Sequence, residues 1–173
     1  HVKIATTTKE KADRMIKGHP NGSSLKWSTE DAETLERLVN EHDITVSFLP
    51  YKHHVTVAKT CIKCGKPLIT TSYVSAEMQA LDAEAKKAGI IILNEIGLDP
   101  GIDHMTAMKV IDHIHNKKGK VEEFYSLCGA LPAPEAADNP MKYKFSWSPK
   151  GVLLASQNSA HYLKKGKEVF IKP

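Results

Sequence analysis

Over its first hundred residues the chain alternates short apolar strand signals with helix signals, and this order limits the fold more than any other feature. Val2–Thr7, Ser24–Trp27, Asp43–Leu49, Leu68–Thr71 and Ile90–Leu93 read as strands. Between them lie helix signals: Lys9–Lys17, a segment capped by Ser28 and running to Asn40, Val55–Lys63, and a segment capped by Ser75 and running to Lys87. Gly18, Gly65 and Gly89 stand where three of these helices should stop. Successive antiparallel strands need no helix between them, whereas parallel strands need a crossover connection. The alternation therefore predicts an α/β fold, a doubly wound parallel (Rossmann-type) sheet with helices on both faces. The strands are largely apolar, as burial on both faces requires.

The pattern changes after a helix over about Met105–His115. Val121–Ala130 reads as a long strand, and Leu131–Pro140 as a loop containing Pro132, Pro134 and Pro140. The expected organisation is a partial dinucleotide-binding domain over residues 1–120. The beginning of an α+β substrate or dimerisation domain follows over residues 121–173. A dinucleotide-binding domain normally carries G-x-G-x-x-G after its first strand. None is present, and strand-like sequence runs to both ends, as Val2–Ala5 and as Glu168–Ile171. The chain reads as an internal fragment whose sheet lacks its first strand and glycine-rich loop.

Composition narrows the function classes. The formal net charge is only +4, the lysines are scattered, and Arg14 and Arg37 are the sole arginines. A nucleic-acid surface would concentrate its basic residues and favour Arg for bidentate contacts, so no nucleic-acid partner is expected. No apolar run is long enough to span a bilayer and no leader pattern opens the chain, so no membrane partner is expected either. Cys61 and Cys64 form a C-x-x-C without a second pair; two thiols near a helix end is the simpler reading than zinc or redox chemistry. His113 and His115, two residues apart, fall on different helix faces and read as solvated, so no metal is expected. Asn21-Gly22-Ser23 matches a glycosylation sequon but reads as a turn.

The ends of the strands carry the chemistry. Open α/β sheets bind ligands outside the carboxyl ends of their strands. Asn94–His104, with Glu95, Asp99, Asp103 and His104 in one glycine- and proline-rich loop, follows the strand Ile90–Leu93. Leu49-Pro50-Tyr51 and Thr71-Ser72-Tyr73 follow the two strands before it. Three successive strands thus deliver polar groups to one sheet edge, which suggests a single cleft. At the first strand's end, an acid would favour NAD and a cation the 2′-phosphate of NADP. Thr6-Thr7-Thr8-Lys9 offers hydroxyls and a cation and no acid, which tilts the expected cofactor to NADP; NAD stays open, as does the reading of these threonines as ordinary strand-end residues.

Four strings together resemble the saccharopine dehydrogenase (saccharopine reductase, L-glutamate-forming) family: Asn94–His104, Thr71-Ser72-Tyr73, Cys128–Glu135, and Asn139-Pro140 with Tyr143–Val152. The resemblance spans nearly the whole chain. It implies an oxidoreductase of the lysine α-aminoadipate pathway that interconverts saccharopine with α-aminoadipate semialdehyde and glutamate, using NAD(P). It places Leu49, Thr71, Ser72, Leu98, Asp99, Pro100 and Ser148 along the dinucleotide. Thr6, Thr7 and Thr8 fall at the adenosine ribose, and Lys26 and Trp27 near the adenine. Ser72, Tyr73 and Asp99 also touch the amino-acid substrate, and Asp99, Tyr73 and Cys128 become the candidate catalytic groups. The family position of Thr7 can carry Arg in NADP-using members, and neither Arg14 nor Arg37 lies in a cleft motif to clamp the substrate carboxylates. The fragment is therefore expected to bind cofactor and substrate poorly by itself. A catalysis-free nucleotide-binding or scaffold role in the same family is the alternative. The expected compartment is the cytoplasm, or the mitochondrion for a bifunctional parent, and a homodimer through the second domain is one expected assembly.

Overall fold

The computed structural model describes residues 1–146 and 148–173. Trp147, part of one of the strings above, lies outside the described residues. The chain divides into two compact units, His1–Ser126 and Leu127–Pro173.

The first unit has five short strands, β1 (Val2–Thr6), β2 (Gly22–Lys26), β3 (Thr45–Ser47), β4 (Leu68–Thr70) and β5 (Ile92–Leu93). The helices are α1 (Lys9–Ile16), α2 (Ala32–Glu41), α3 (His54–Cys64), α4 (Ala76–Gln79), α5 (Asp82–Ala88) and α6 (Ile102–Asn116). Every strand pairing is parallel, as the alternation predicts. The single sheet expected is instead a pair, β1-β2, and a triple, β3-β4-β5. The physical reason lies in the winding order. The classic doubly wound order is 3-2-1-4-5-6, and leaving out its central strand gives such a pair and such a triple. Ile44, Val46 and Phe48, in and around β3, are correspondingly exposed although the strand reads as a core strand.

The helices α2 and α3 bury one face each, as their spacing dictates, whereas α6 buries none of its residues. Leu35, Leu38 and Val39 of α2 recur at i, i+3, i+4, and His54, Val57, Ala58 and Cys61 of α3 follow the same period. Of these, Leu35, Val39, Val57, Ala58 and Cys61 meet Trp27, Leu68, Met78 and Leu81 in one core. Gly65 and Gly89 end α3 and α5 in the left-handed region, with φ of 64° and 68°. In both, the next residue's N–H reaches back to the fourth-last helical carbonyl (Lys66 to Cys61, Ile90 to Ala85), a Schellman stop. Cys61 is fully buried and its burial pushes the thiol up to about 11. It is a core side chain, not bonded to Cys64, and a buried protonated thiol is a poor nucleophile.

Several boundaries differ from expectation. Asp31, not Ser28, caps α2, its carboxylate accepting the Thr34 N–H at 2.9 Å. Ser75 does cap its helix, accepting from Met78 at 3.2 Å, but Ala80 and Leu81 break the segment into α4 and α5. The strand expected over Val121–Ala130 has no ladder. Alternation supplies a face but no partner, and a strand exists only through its neighbour's hydrogen bonds.

The second unit holds α7 (Pro149–Ala155) and a hairpin of β6 (Ala160–Lys164) and β7 (Lys167–Ile171). Ser148 caps α7, accepting the Gly151 N–H at 3.0 Å. Lys165 and Gly166 turn the hairpin with φ of 50° and 72°, the two positive values a type I′ turn needs. The sequence reading found β7 and missed β6.

Candidate functional site

The site begins with the parallel register of β3, β4 and β5, which sets their carboxyl ends side by side (Ser47 opposite Thr70, Ile69 opposite Leu93). The segments that follow are tied together by polar contacts. Thr70 Oγ1 donates to Asn94 Oδ1 at 3.0 Å. The Glu95 and Ile96 N–H groups donate to the carbonyls of Ser72 and Thr70, and Glu95 Oε1 accepts the Val74 N–H at 3.2 Å. The latter contact holds Glu95 at φ 65°, a left-handed conformation that a side chain adopts only when its surroundings fix it.

The loop then closes on itself. Gly97 N–H donates to Pro100 O at 2.8 Å, Ile102 N–H to Gly97 O at 2.9 Å, and Asp103 N–H to Leu98 O at 3.1 Å. Asp99 and Pro100 are joined by a cis peptide bond. Pro100 and Gly101 are buried beneath the loop, and Leu98 and Asp99 are left exposed at its tip. Gly101 has φ +145°, and a Cβ on it would run into the backbone of Gly97. A glycine is required there, since no side chain fits the turn that presents Asp99.

Tyr73 reaches the same tip, its hydroxyl donating to Asp99 Oδ1 at 3.5 Å. Partial burial, followed by the negative charge of Asp99, pushes the phenol above its ordinary range. It is a proton-bearing donor at neutral pH. Beneath them Asp103 Oδ1 accepts from Gly101 N–H at 2.9 Å and from His104 Nδ1 at 2.8 Å. Burial pushes the Asp103 carboxyl up, but those hydrogen bonds outweigh it and hold the group below the ordinary carboxylate range. The Asp103 contact and charge raise His104 above 6.5, with Asp99 and Glu95 adding to the effect. A raised histidine stabilises the fold fully below its unfolded value, and the contribution is lost as pH rises through the folded value. A depressed carboxyl does the opposite, losing its contribution as pH falls. An NMR titration should therefore find His104 still protonated above its ordinary range, and Asp103→Asn should bring it down toward the ordinary value.

His54, which with His53 follows the third strand, bridges the end of β3 and the segment after β4. The residue is 2% exposed. Nδ1 lies 3.0 Å from Ser47 Oγ and Nε2 2.8 Å from Ser72 Oγ. A histidine one turn past a strand end, with serines ending both neighbouring strand segments, is the signal that could have revealed it.

The remaining candidates are placed as follows. Thr6 ends β1 and stands opposite Lys26 in the β1-β2 register; its Oγ1 accepts the Thr8 N–H at 3.3 Å. Thr7, Thr8 and Lys26 are exposed, and Lys26 forms no ion pair among the described residues. Trp27 is 8% exposed, packed in the core with its Nε1–H donated to Asp31 O at 2.9 Å. Leu49 and Thr71 are half-buried beside the β3 and β4 ends. Cys128 and Ser148 belong to the second unit, where Cys128 lines an open concavity with Leu127, Leu131, Tyr143 and Ser146. Asn139 shapes that loop by donating to Tyr143 O at 2.7 Å, and Tyr143 packs edge-on against Phe145. Among the described residues no cluster of three His, Cys, Asp or Glu groups could hold a metal, and no helix is long and apolar enough to cross a membrane.

Family comparison decides what this edge belongs to. Residues 1–93 match the saccharopine dehydrogenase NADP binding domain and residues 97–173 the saccharopine dehydrogenase C-terminal domain. The chain belongs to the saccharopine dehydrogenase family. It is 49% identical over 171 residues to the saccharopine dehydrogenase [NADP(+), L-glutamate-forming] of Schizosaccharomyces pombe, covering 99% of this chain and 38% of that protein. It is 46% identical over 171 residues to the α-aminoadipic semialdehyde synthase of Arabidopsis thaliana, covering 99% of this chain and 16% of the relative. The solved apo saccharopine dehydrogenase (L-Glu forming) of Saccharomyces cerevisiae superposes with a TM-score of 0.75 at 43% identity, over 99% of this chain and 38% of that one. The chain thus spans about two fifths of the first relative's length, and the family's α/β fold is the one expected from the strand–helix alternation.

Proposed function

We propose that this chain supplies one wall of an NADP-dependent, glutamate-forming saccharopine dehydrogenase. The observation that carries the reading is the Asp99 tip, a carboxylate presented on a locked glycine-proline loop with the Tyr73 hydroxyl beside it. In the proposed reaction saccharopine, water and NADP+ give α-aminoadipate semialdehyde, glutamate, NADPH and a proton. The dinucleotide, when bound, takes the hydride from the carbon bearing the secondary amine.

The residues of the chain do the rest. Thr6, Thr7, Thr8 and Lys26 offer hydroxyls and an ammonium, and no acid, at the β1-β2 edge where a ribose 2′-phosphate would lie. Leu49, Thr71, Ser72, Leu98, Asp99 and Pro100 line the dinucleotide, Ser72, Tyr73 and Asp99 orient the amino-acid substrate, and Ser148 of the second unit is a separate candidate contact. The Asp99 carboxylate favours the cationic imine electrostatically and takes the proton of the water that adds to it. Tyr73 keeps its proton and donates a hydrogen bond. Cys128 is the third candidate for handling a proton. The compartment follows the parent: cytoplasm for a stand-alone enzyme, mitochondrion for a bifunctional one such as the mouse relative named mitochondrial. A homodimer through the second domain fits the same reading.

The cofactor half of the proposal is tested with a whole family enzyme carrying this segment. Lys26→Glu should raise KM for NADP+ roughly tenfold or more and leave KM for NAD+ within about twofold, because the added charge repels only the 2′-phosphate. Equal effects on both cofactors would refute the placement of Lys26. The segment alone, without a glycine-rich phosphate loop, should turn over far more slowly than that enzyme; comparable turnover would contradict the proposal that the site needs further walls.

A further inference from the structure

We propose that His54 is a positioning residue, which fixes the rotamer of the Ser72 hydroxyl and so aims it at the dinucleotide and the substrate. The inference rests on the reading of Ser72 as a ligand contact given above.

The geometry is a chain of three side chains. Ser47 ends β3 and is 4% exposed, with its Oγ 3.0 Å from His54 Nδ1. His54 opens α3, whose buried face Val57, Ala58 and Cys61 carry into the core. The ring is thus held by a strand on one side and a packed helix on the other. Its remaining nitrogen, Nε2, meets Ser72 Oγ at 2.8 Å. Ser72 is half-buried, and the Glu95 N–H holds its backbone at the carbonyl by a 3.1 Å bond. The backbone is therefore fixed by the Asn94–Ile96 segment, and the side chain by His54.

A serine hydroxyl has three staggered positions. Without a partner it samples all of them; with His54 it holds one. Burial, followed by the neighbouring His53 charge, keeps the His54 ring below its ordinary value, so the ring is neutral and has one N–H. Either tautomer leaves Ser72 with hydrogen-bonding capacity beyond the ring. If Nε2 donates, the Ser72 O–H is free for a ligand acceptor; if Nε2 accepts, the Ser72 lone pairs are free for a ligand donor. A purely structural buried histidine would behave differently, since an apolar group of similar size would replace it at small cost to function.

The test is a double-mutant cycle on saccharopine oxidation in a whole family enzyme carrying this segment. Ser72→Ala and His54→Phe should each lower kcat/KM roughly tenfold or more. The double variant should be no slower than the worse single, because His54 acts only through Ser72. His54→Gln, which keeps an amide near Ser72, should recover most of the loss. Ser47→Ala, which loosens the far end of the ring, should produce a smaller loss that vanishes in the Ser72→Ala background, and it serves if His54→Phe does not fold. Multiplied losses in the double variant, or a silent His54→Phe beside an impaired Ser72→Ala, would overturn the inference while leaving Ser72 as a contact. A silent Ser72→Ala would overturn the reading of Ser72, and the inference with it.

Discussion

Gly101→Ala is expected to destabilise the first unit by about 3 kcal/mol or more and to abolish activity in a whole family enzyme. Two independent penalties act at this position. The backbone stands at φ +145°, where an L side chain is strained, and the new methyl would meet the Gly97 N and O and lie 2.9 Å from Glu95 O. None of these is the far end of a flexible side chain that could swing away. The Gly97–Pro100 and Ile102–Gly97 bonds must open to admit the methyl, and with them goes the presentation of Asp99. Gly97→Ala should be milder. Its Cβ would sit 3.1 Å from Thr71 O and 3.2 Å from Pro100 O, contacts that a shift of a few tenths of an ångström relieves. Thermal melting of the two variants checks the order. Equal melting temperatures would show that the loop is not locked as described.

The second large effect is chemical. In a whole family enzyme carrying this segment, Asp99→Asn should lower kcat for saccharopine oxidation about a hundred- to ten-thousandfold, the range for a lost general base. The fold should be unaffected, because Asp99 is exposed and its one side-chain bond among the described residues is the 3.5 Å contact from Tyr73. The Tyr73 phenol should titrate lower in that variant, since part of its upward shift is the Asp99 charge. An Asp99→Asn enzyme with a normal kcat and a raised KM would assign Asp99 to binding alone.

Much of this was legible in the residues. Strand–helix alternation and the apolar strands gave a parallel sheet with helices, because those signals are local. The Gly65 and Gly89 stops were legible for the same reason: only glycine adopts that conformation freely. The division into a pair and a triple of strands was not, because sheet order is a property of the whole winding. Val121–Ala130 misled because alternation describes a face and is silent about a partner. β6 was missed although Lys165-Gly166 marks the turn, since His161, Lys164 and the flanking polar residues mask the strand.

The site divided similarly. Thr71-Ser72-Tyr73 and Asn94–His104 were visible as polar strand ends, and the register of β4 and β5 explains why they meet. The burial of Trp27 was not legible, because its neighbours Leu35, Val39 and Val57 come from helices elsewhere in the chain. The role of His54 was not legible because its two serine partners lie 7 and 18 residues away, one ending β3 and one past the end of β4, a separation no spacing rule connects.

The central claim is best tested by one steady-state measurement on the whole protein that carries this segment: reduction of NADP+ and of NAD+ on addition of saccharopine, with glutamate identified as product. The account predicts saccharopine-dependent NADPH formation, with kcat/KM higher for NADP+ than for NAD+. Failure to oxidise saccharopine under conditions where NADP+ binds, or oxidation with a strong preference for NAD+, would contradict it.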